Sequence, residues 1–177
     1  MQPTENNIKN RVCGKGRGWV FTPKSFSDLG TADAIKKALS RLEKKGVIRR
    51  LAKGLYDYPK THNKLGQLPA EIDRVAEAIA QKYSIRIQPS GAYAANLLGL
   101  IDQVPAKIVF FTDGSSRKYK IGNRDLEFRR TTPKNMKTVG SISGLVIQGL
   151  KHIGKDNVTK GMLIKLLLNL MRKILRD

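Results

Sequence analysis

The stretch TADAIKKALSRLEKKGVIRRLAKGLYDYP, residues 31–59, carries more of the fold than any other part of the chain. Thr31 is a good helix-capping residue, and Asp33 lies in the first turn, where its charge complements the positive end of the helix dipole. Ile35, Ala38, Leu39 and Leu42 recur at the spacing of three and four that lines up one helix face, while Lys36, Lys37, Ser40, Arg41 and Lys44 occupy the opposite one. Gly46 ends that helix. Beyond it come Val47-Ile48-Arg49-Arg50-Leu51, a turn at Ala52-Lys53-Gly54, and Leu55-Tyr56-Asp57-Tyr58 before Pro59, which read as a two-stranded hairpin.

Outward from this stretch toward the N-terminus, Thr22-Pro23 opens a short helix that stops at Gly30, since threonine followed by proline is a strong start signal. Trp19-Val20-Phe21 is a short apolar run, and Gly14 to Gly18 is a glycine-rich turn. That turn is not a phosphate-binding fingerprint, which needs a strand before it and a helix after it. Residues 4–12 carry Ile8 and Val12 four apart and form a first helix. Helix, short strand, helix, helix and basic hairpin is the order of a winged helix-turn-helix, whose third helix enters a DNA groove while the hairpin flanks it. The expected DNA-binding set is Thr31, Lys36, Lys37, Ser40, Arg41, Lys44, Arg49, Arg50 and Lys53.

Outward toward the C-terminus, residues 59–69 are polar, bracketed by Pro59 and Pro69, and read as a linker. Ile72, Val75, Ala76 and Ile79 then mark an amphipathic helix, and Ala92, Ala95, Leu97 and Leu98 mark another that starts at Ser90. Ile108-Val109-Phe110-Phe111 is a buried-strand candidate closed by Asp113-Gly114. Two alternating strands flank Gly122-Asn123, and their polar positions give a second basic surface of Arg117, Lys118, Lys120, Arg124, Arg129 and Arg130. The last forty residues are helical, and residues 162–175 are so rich in leucine that burial within the domain is the plainer expectation, a protein partner the other. The expected fold class is therefore α+β. A winged helix-turn-helix fills residues 1–60, a linker residues 61–69, and an α+β domain with a small antiparallel sheet and C-terminal helices residues 70–177.

Composition points the same way. Of 177 residues, 34 are Lys or Arg and 14 are Asp or Glu, a net charge of +20 that calls for an anionic partner. Residues 1–64 hold fifteen of the cations and five of the carboxylates, so half the excess sits in about a third of the chain. Double-stranded DNA is the expected partner, and no membrane partner is expected, because the C-terminal apolar stretch is too short to span. Cys13 stands alone, which excludes an internal disulfide and a cysteine-rich zinc site, and it is expected as a buried packing residue. With a polar start to the chain, the location is read as cytoplasmic.

Phe21-Thr22-Pro23, Ala38-Leu39-Ser40-Arg41-Leu42 and the run from Arg49 to Tyr56 resemble the AbiEi-type antitoxin family, type IV toxin–antitoxin regulators with a winged helix. Ser90-Gly91-Ala92-Tyr93-Ala94-Ala95-Asn96-Leu97-Leu98-Gly99-Leu100, Thr112-Asp113-Gly114 and Ile121-Gly122-Asn123-Arg124 are similar to stretches of that family's second domain. The resemblance implies a phage-defence repressor that binds inverted repeats in the promoter of its own operon, and a second domain that neutralises a nucleotidyltransferase-like toxin encoded next to it. Charge and periodicity alone reach a basic DNA binder, and leave open a sequence-independent nucleic-acid-binding accessory protein.

Little in the sequence suggests catalysis. His62 lies in the linker and His152 between lysines, so both read as solvated rather than as metal ligands. Asp113, Asp125 and Glu127 are the only carboxylates placed to pair, and turns account for the two aspartates. No enzyme activity, no catalytic or metal-binding residue and no cofactor is expected.

Overall fold

A computed structural model describes residues 3–174 of the chain, with side chains as far as residue 171. The fold is α+β, with seven α-helices and three small sheets among the described residues. The chain divides into two compact units, Met1–Ser84 and Ile85–Asp177.

In the first unit, α1 (Pro3–Lys15) buries Ile8 and Val12, one turn apart. After the left-handed turns at Gly16 and Gly18 comes β1 (Val20–Phe21), then a 3-10 turn at Pro23–Phe26 whose start is fixed by Thr22 N donating to Ser25 Oγ. Helix α2 (Ala32–Lys44) is capped by Thr31, whose Oγ1 accepts from Ala34 N at 3.3 Å. Its buried residues are Ile35, Ala38, Leu39 and Leu42, the face expected from their spacing. Strands β2 (Arg49–Ala52) and β3 (Leu55–Asp57) form an antiparallel hairpin around Gly54, which takes the left-handed conformation the turn needs, and β1 pairs with the free side of β3. Phe21, Phe26 and Trp19 close the core with ring centroids 4.7 to 5.8 Å apart, at tilted and edge-on angles that suit aromatic quadrupoles.

Residues 61–69 are not a free linker. They hold a small exposed hairpin, β4 (Thr61–His62) with β5 (Gly66–Gln67), and their end is tied down: Leu68 N donates to Lys60 O, and Leu68 O accepts from Arg49 Nη2. Helix α3 (Ile72–Tyr83), expected to open the second domain, belongs to the first unit and packs against β1 with Val75, Ala76 and Ile79 buried. It ends at Ser84, whose φ of 53° is the left-handed cap that turns the chain out of the helix.

The second unit holds a four-stranded sheet of β6 (Ile87–Pro89), β7 (Lys107–Thr112), β8 (Arg117–Ile121) and β9 (Arg124–Arg130), ordered β6-β7-β9-β8. The expected antiparallel sheet is corrected to a mixed one. The hairpin around Gly122 forms as expected, but its second strand, not its first, lies beside β7, so β7 and β9 run parallel. The reason is apolar content: Leu126 and Phe128 come level with Ile108 and Phe110, all fully or nearly fully buried, whereas β8 brings one buried residue, Ile121, and takes the edge. Strand β6, which the sequence reading missed, is three residues long and contains a proline, as an edge position permits.

Helices α4 (Gly91–Leu97) and α6 (Ile142–Ile153) cross closely, with the short α5 (Pro133–Met136) before α6. Gly149 lies at the crossing, where a Cβ would stand 2.6 Å from Leu98 Cδ1 and that side chain would have to shift. Helix α7 (Lys160–Ile174) adds one stripe, Met162, Leu166 and Leu170, to the Ala94, Ala95, Leu98 and Leu145 cluster. The expected burial of this helix is not met. Leu163, Ile164, Leu167, Leu168 and Met171 are 41–61% exposed, because one helix face can dock on one neighbour and the remaining leucines point elsewhere. Its expected end at residue 175 lies outside the described residues.

Candidate nucleic-acid interface

Helix α2 separates its residues cleanly. With Ile35, Leu39 and Leu42 anchored in the core, Lys36, Lys37, Ser40, Arg41 and Lys44 are carried to the opposite, exposed side, and exposed Thr31 sits at the helix start. Lys36 makes a loose surface pair with Asp33 at 3.7 Å, of little energetic weight. Lys37 and Lys44 make no ion pair among the described residues.

Arg41 differs from its neighbours. Its Nη1 lies 3.7 Å from Oε2 of Glu5, a buried carboxylate on α1 that Lys45 Nζ also reaches at 2.5 Å. The hydrogen bond from Lys45 first, and the charges of Lys45 and Arg41 besides, hold the Glu5 carboxyl below the usual range against its desolvation. Arg41 thus helps fasten α1 to α2 while still 43% exposed. On the other side of α1, Arg11 grips Asp28 through two hydrogen bonds of 2.7 and 2.6 Å, which lowers that carboxyl to about 2.

The hairpin divides its cations. Arg50 and Lys53 are exposed and free of ion pairs among the described residues. Arg49 turns inward: Nε and Nη2 bind Asp57 Oδ1 and Oδ2 at 3.0 and 2.6 Å, and Nη2 also donates to Leu68 O at 3.0 Å. Asp57, directly across the ladder, is 2% exposed, so this arginine is fully occupied in neutralising a buried charge. The structure thus gathers Thr31, Lys36, Lys37, Ser40, Arg41 and Lys44 on one helix, places Arg50 and Lys53 on the hairpin, and sets Arg49 into the fold.

In the second unit the six expected basic residues do not share a surface. Strand alternation puts Lys118, Lys120 and Arg129 on one face of the sheet, with Lys107, which the sequence reading did not include. Arg117, Arg124 and Arg130 lie on the other, beside Tyr119, Leu126 and Phe128. Glu127 sits among the first group, 2.5 Å from Lys107 Nζ and 3.2 Å from Arg129 Nε, and the hydrogen bond from Lys107 chiefly keeps its carboxyl low.

The remaining chemistry-bearing residues have structural settings. Asp113 accepts from Arg86 N and Nε at 2.9 and 2.8 Å, and the Arg86 side chain is the main reason its carboxyl is lowered. His62 Nδ1 accepts from Lys64 N. Cys13 is exposed rather than buried, because the packed positions of α1 are Ile8 and Val12 and the next residue is rotated away from them. Among the described residues no group of three or more His, Cys, Asp and Glu is placed to hold a metal ion, and no helix is long and apolar enough to cross a membrane.

The chain belongs to the family of unknown function DUF6088, whose model matches residues 7–176. No curated protein matches it.

Proposed function

Since membership of that family leaves the function open, we propose that this chain is an antitoxin-type transcriptional repressor, which binds operator DNA through a winged helix in its first unit and acts by binding rather than by catalysis. The observation that carries the DNA-binding part is the exposed face of α2, where Lys36, Lys37, Ser40 and Lys44 stand clear of the core, followed in the chain by a hairpin whose Arg50 and Lys53 are exposed. The order of α1, β1, the 3-10 turn, α2 and the β2–β3 hairpin supports the winged-helix reading. In such a module the helix lies in the major groove, where its side chains reach base edges and the flanking phosphates, and the hairpin adds further phosphate contacts. Autoregulation, operator repeats and neutralisation of a nucleotidyltransferase-like toxin rest on the AbiEi-type resemblance alone.

The test is a footprint of the full chain on the DNA upstream of its own reading frame. Protection of an inverted repeat, abolished by Lys37→Ala with Ser40→Ala, supports the repressor. Equal affinity for unrelated duplexes and for RNA would assign the chain to sequence-independent nucleic-acid binding instead. For the antitoxin half, the neighbouring gene's product is co-expressed with this chain, and growth inhibition that the chain fails to relieve removes that part of the proposal.

A further inference from the structure

The second unit encloses an open cavity of about 470 Å³ between the β7–β9 side of the sheet, the start of α4 and the last turns of α6. That volume falls within the range of small-ligand sites. Three cations reach it, Lys107, Arg129 and Lys151, with His152 beside them. Glu127, touching Lys107 and Arg129, offsets one of these charges and leaves a net of two positive.

Two largely buried polar side chains on the wall make no side-chain hydrogen bond among the described residues. Ser90 occupies the N-cap position of α4 and is 4% exposed, yet its hydroxyl makes no capping bond. Gln148 on α6 is 5% exposed, and its amide has no hydrogen-bond partner among the described residues. Both side chains line the cavity and neither is bonded within the described residues, so the Ser90 hydroxyl and the Gln148 amide are available to a polar ligand there. Phe111 and Val109 contribute a half-buried apolar wall on the same side.

We infer that this cavity is a binding site for a small phosphorylated ligand of mononucleotide size. A phosphate monoester carries a charge of roughly −1.5 to −2 at pH 7, which matches the net charge of the wall, and its oxygens accept from Lys107, Arg129, Lys151 and the Ser90 hydroxyl. Gln148 supplies a donor and an acceptor for the polar edge of a base or sugar, and Phe111 an aromatic surface against which a planar ring lies. All of its lining residues belong to the second unit.

The experiment is calorimetric titration of the full chain with uridine 5′-monophosphate, adenosine 5′-monophosphate, inorganic phosphate and uridine. Saturable binding of at least one mononucleotide is expected, weaker binding of phosphate and none of uridine. Lys151→Ala and Arg129→Ala, both at exposed residues, lower mononucleotide affinity about tenfold or more each with unchanged circular dichroism, and Ser90→Ala lowers it less. A variant with Lys36→Ala and Lys37→Ala on α2 leaves it unchanged. The inference is overturned if neither mononucleotide binds saturably, if uridine binds as tightly as its monophosphate, or if only the α2 variant loses binding. Phosphate binding as tightly as both mononucleotides would overturn the assignment to nucleotides.

Discussion

Arg49→Ala separates a structural role from a DNA-contacting one. The substitution removes three hydrogen bonds, two to Asp57 and one to Leu68 O, and leaves a carboxylate that is 2% exposed without its counter-charge. Breaking a buried pair from one side costs about 3–5 kcal/mol, and Arg49 is 28% exposed, so some water reaches the site and the lower end, about 3 kcal/mol, is expected. For a chain of 177 residues unfolding as one, that lowers the melting midpoint by roughly 6–12 °C, and by about twice as much if the first unit melts alone. Thermal unfolding followed by circular dichroism is the assay, with Asp57→Asn, the double variant and Lys53→Ala run beside it. The double variant should recover part of the loss, because no uncompensated charge stays buried, while Lys53→Ala should melt with the parent. If Arg49→Ala melts within a degree of the parent while its operator affinity falls as far as that of Lys53→Ala, the structural assignment of Arg49 is wrong.

Three further outcomes follow from other parts of the molecule. A triple variant, Lys37→Ala with Lys44→Ala and Lys53→Ala, should flatten the dependence of log affinity on log salt by about 2.7, at about 0.9 per phosphate contact, and fluorescence anisotropy between 50 and 200 mM salt reads this as about 3.5-fold per contact. The carboxyls of Glu5, Asp28, Glu71, Asp113 and Glu127 are all lowered in the folded chain by their cationic partners, so the folded state binds fewer protons than the unfolded one. Stability to urea should accordingly be full above the usual carboxylate range and fall as pH drops through about 4 toward 2, where Asp28 protonates; Glu5→Gln should shallow that fall, and a chain that gains stability on acidification contradicts the ion pairs described. On α7, Leu166→Ala should cost about 2–5 kcal/mol and Leu167→Ala no more than about 0.5, since the first is 5% exposed and the second 61%; equal losses in urea unfolding would mean that the docked face of the helix is misassigned.

Helical pattern was the readable part of this sequence. The cap at Thr31, the start of α4 at Ser90 and the apolar faces of α2 and α3 follow from composition, because a helix is specified by its own residues and one face of contact. The hairpins at Gly54 and Gly122 were readable for the same local reason. Partner choice was not. Nothing in the run Arg117 to Arg130 states that β9 rather than β8 pairs with β7, since that depends on the apolar content of a strand closed before the hairpin begins. Pro59 and Pro69 suggested a break that Leu68 and Arg49 prevent through contacts between residues 19 apart. The cavity in the second unit had no motif at all: Ser90, Lys107, Arg129 and Lys151 come from four separate elements or their boundaries, and only folding makes them neighbours.

Periodicity also decides how much of a basic run can serve as a binding surface. On α2, cations spaced by one, four and three residues, from Lys36 through Lys37 and Arg41 to Lys44, stay on the outward side because apolar residues at complementary positions hold the helix by its inner face. On a strand, two adjacent arginines must face opposite ways, so of Arg49 and Arg50 one turns inward, and that one finds Asp57 directly across the ladder. The same alternation sends Arg117 and Lys118 to opposite faces of the second sheet. Charge counted along the sequence therefore overstates what the strands can offer a polyanion, whereas the helix count carries over nearly intact. The electrostatic part of DNA binding should fall mainly on α2, with the hairpin adding Arg50 and Lys53 rather than three cations. A per-residue comparison of salt slopes, α2 lysines against hairpin cations, tests this division: two hairpin contacts are expected at most, and a loss of slope on replacing Arg49 in a variant that keeps its parent's melting midpoint would count a third and refute it.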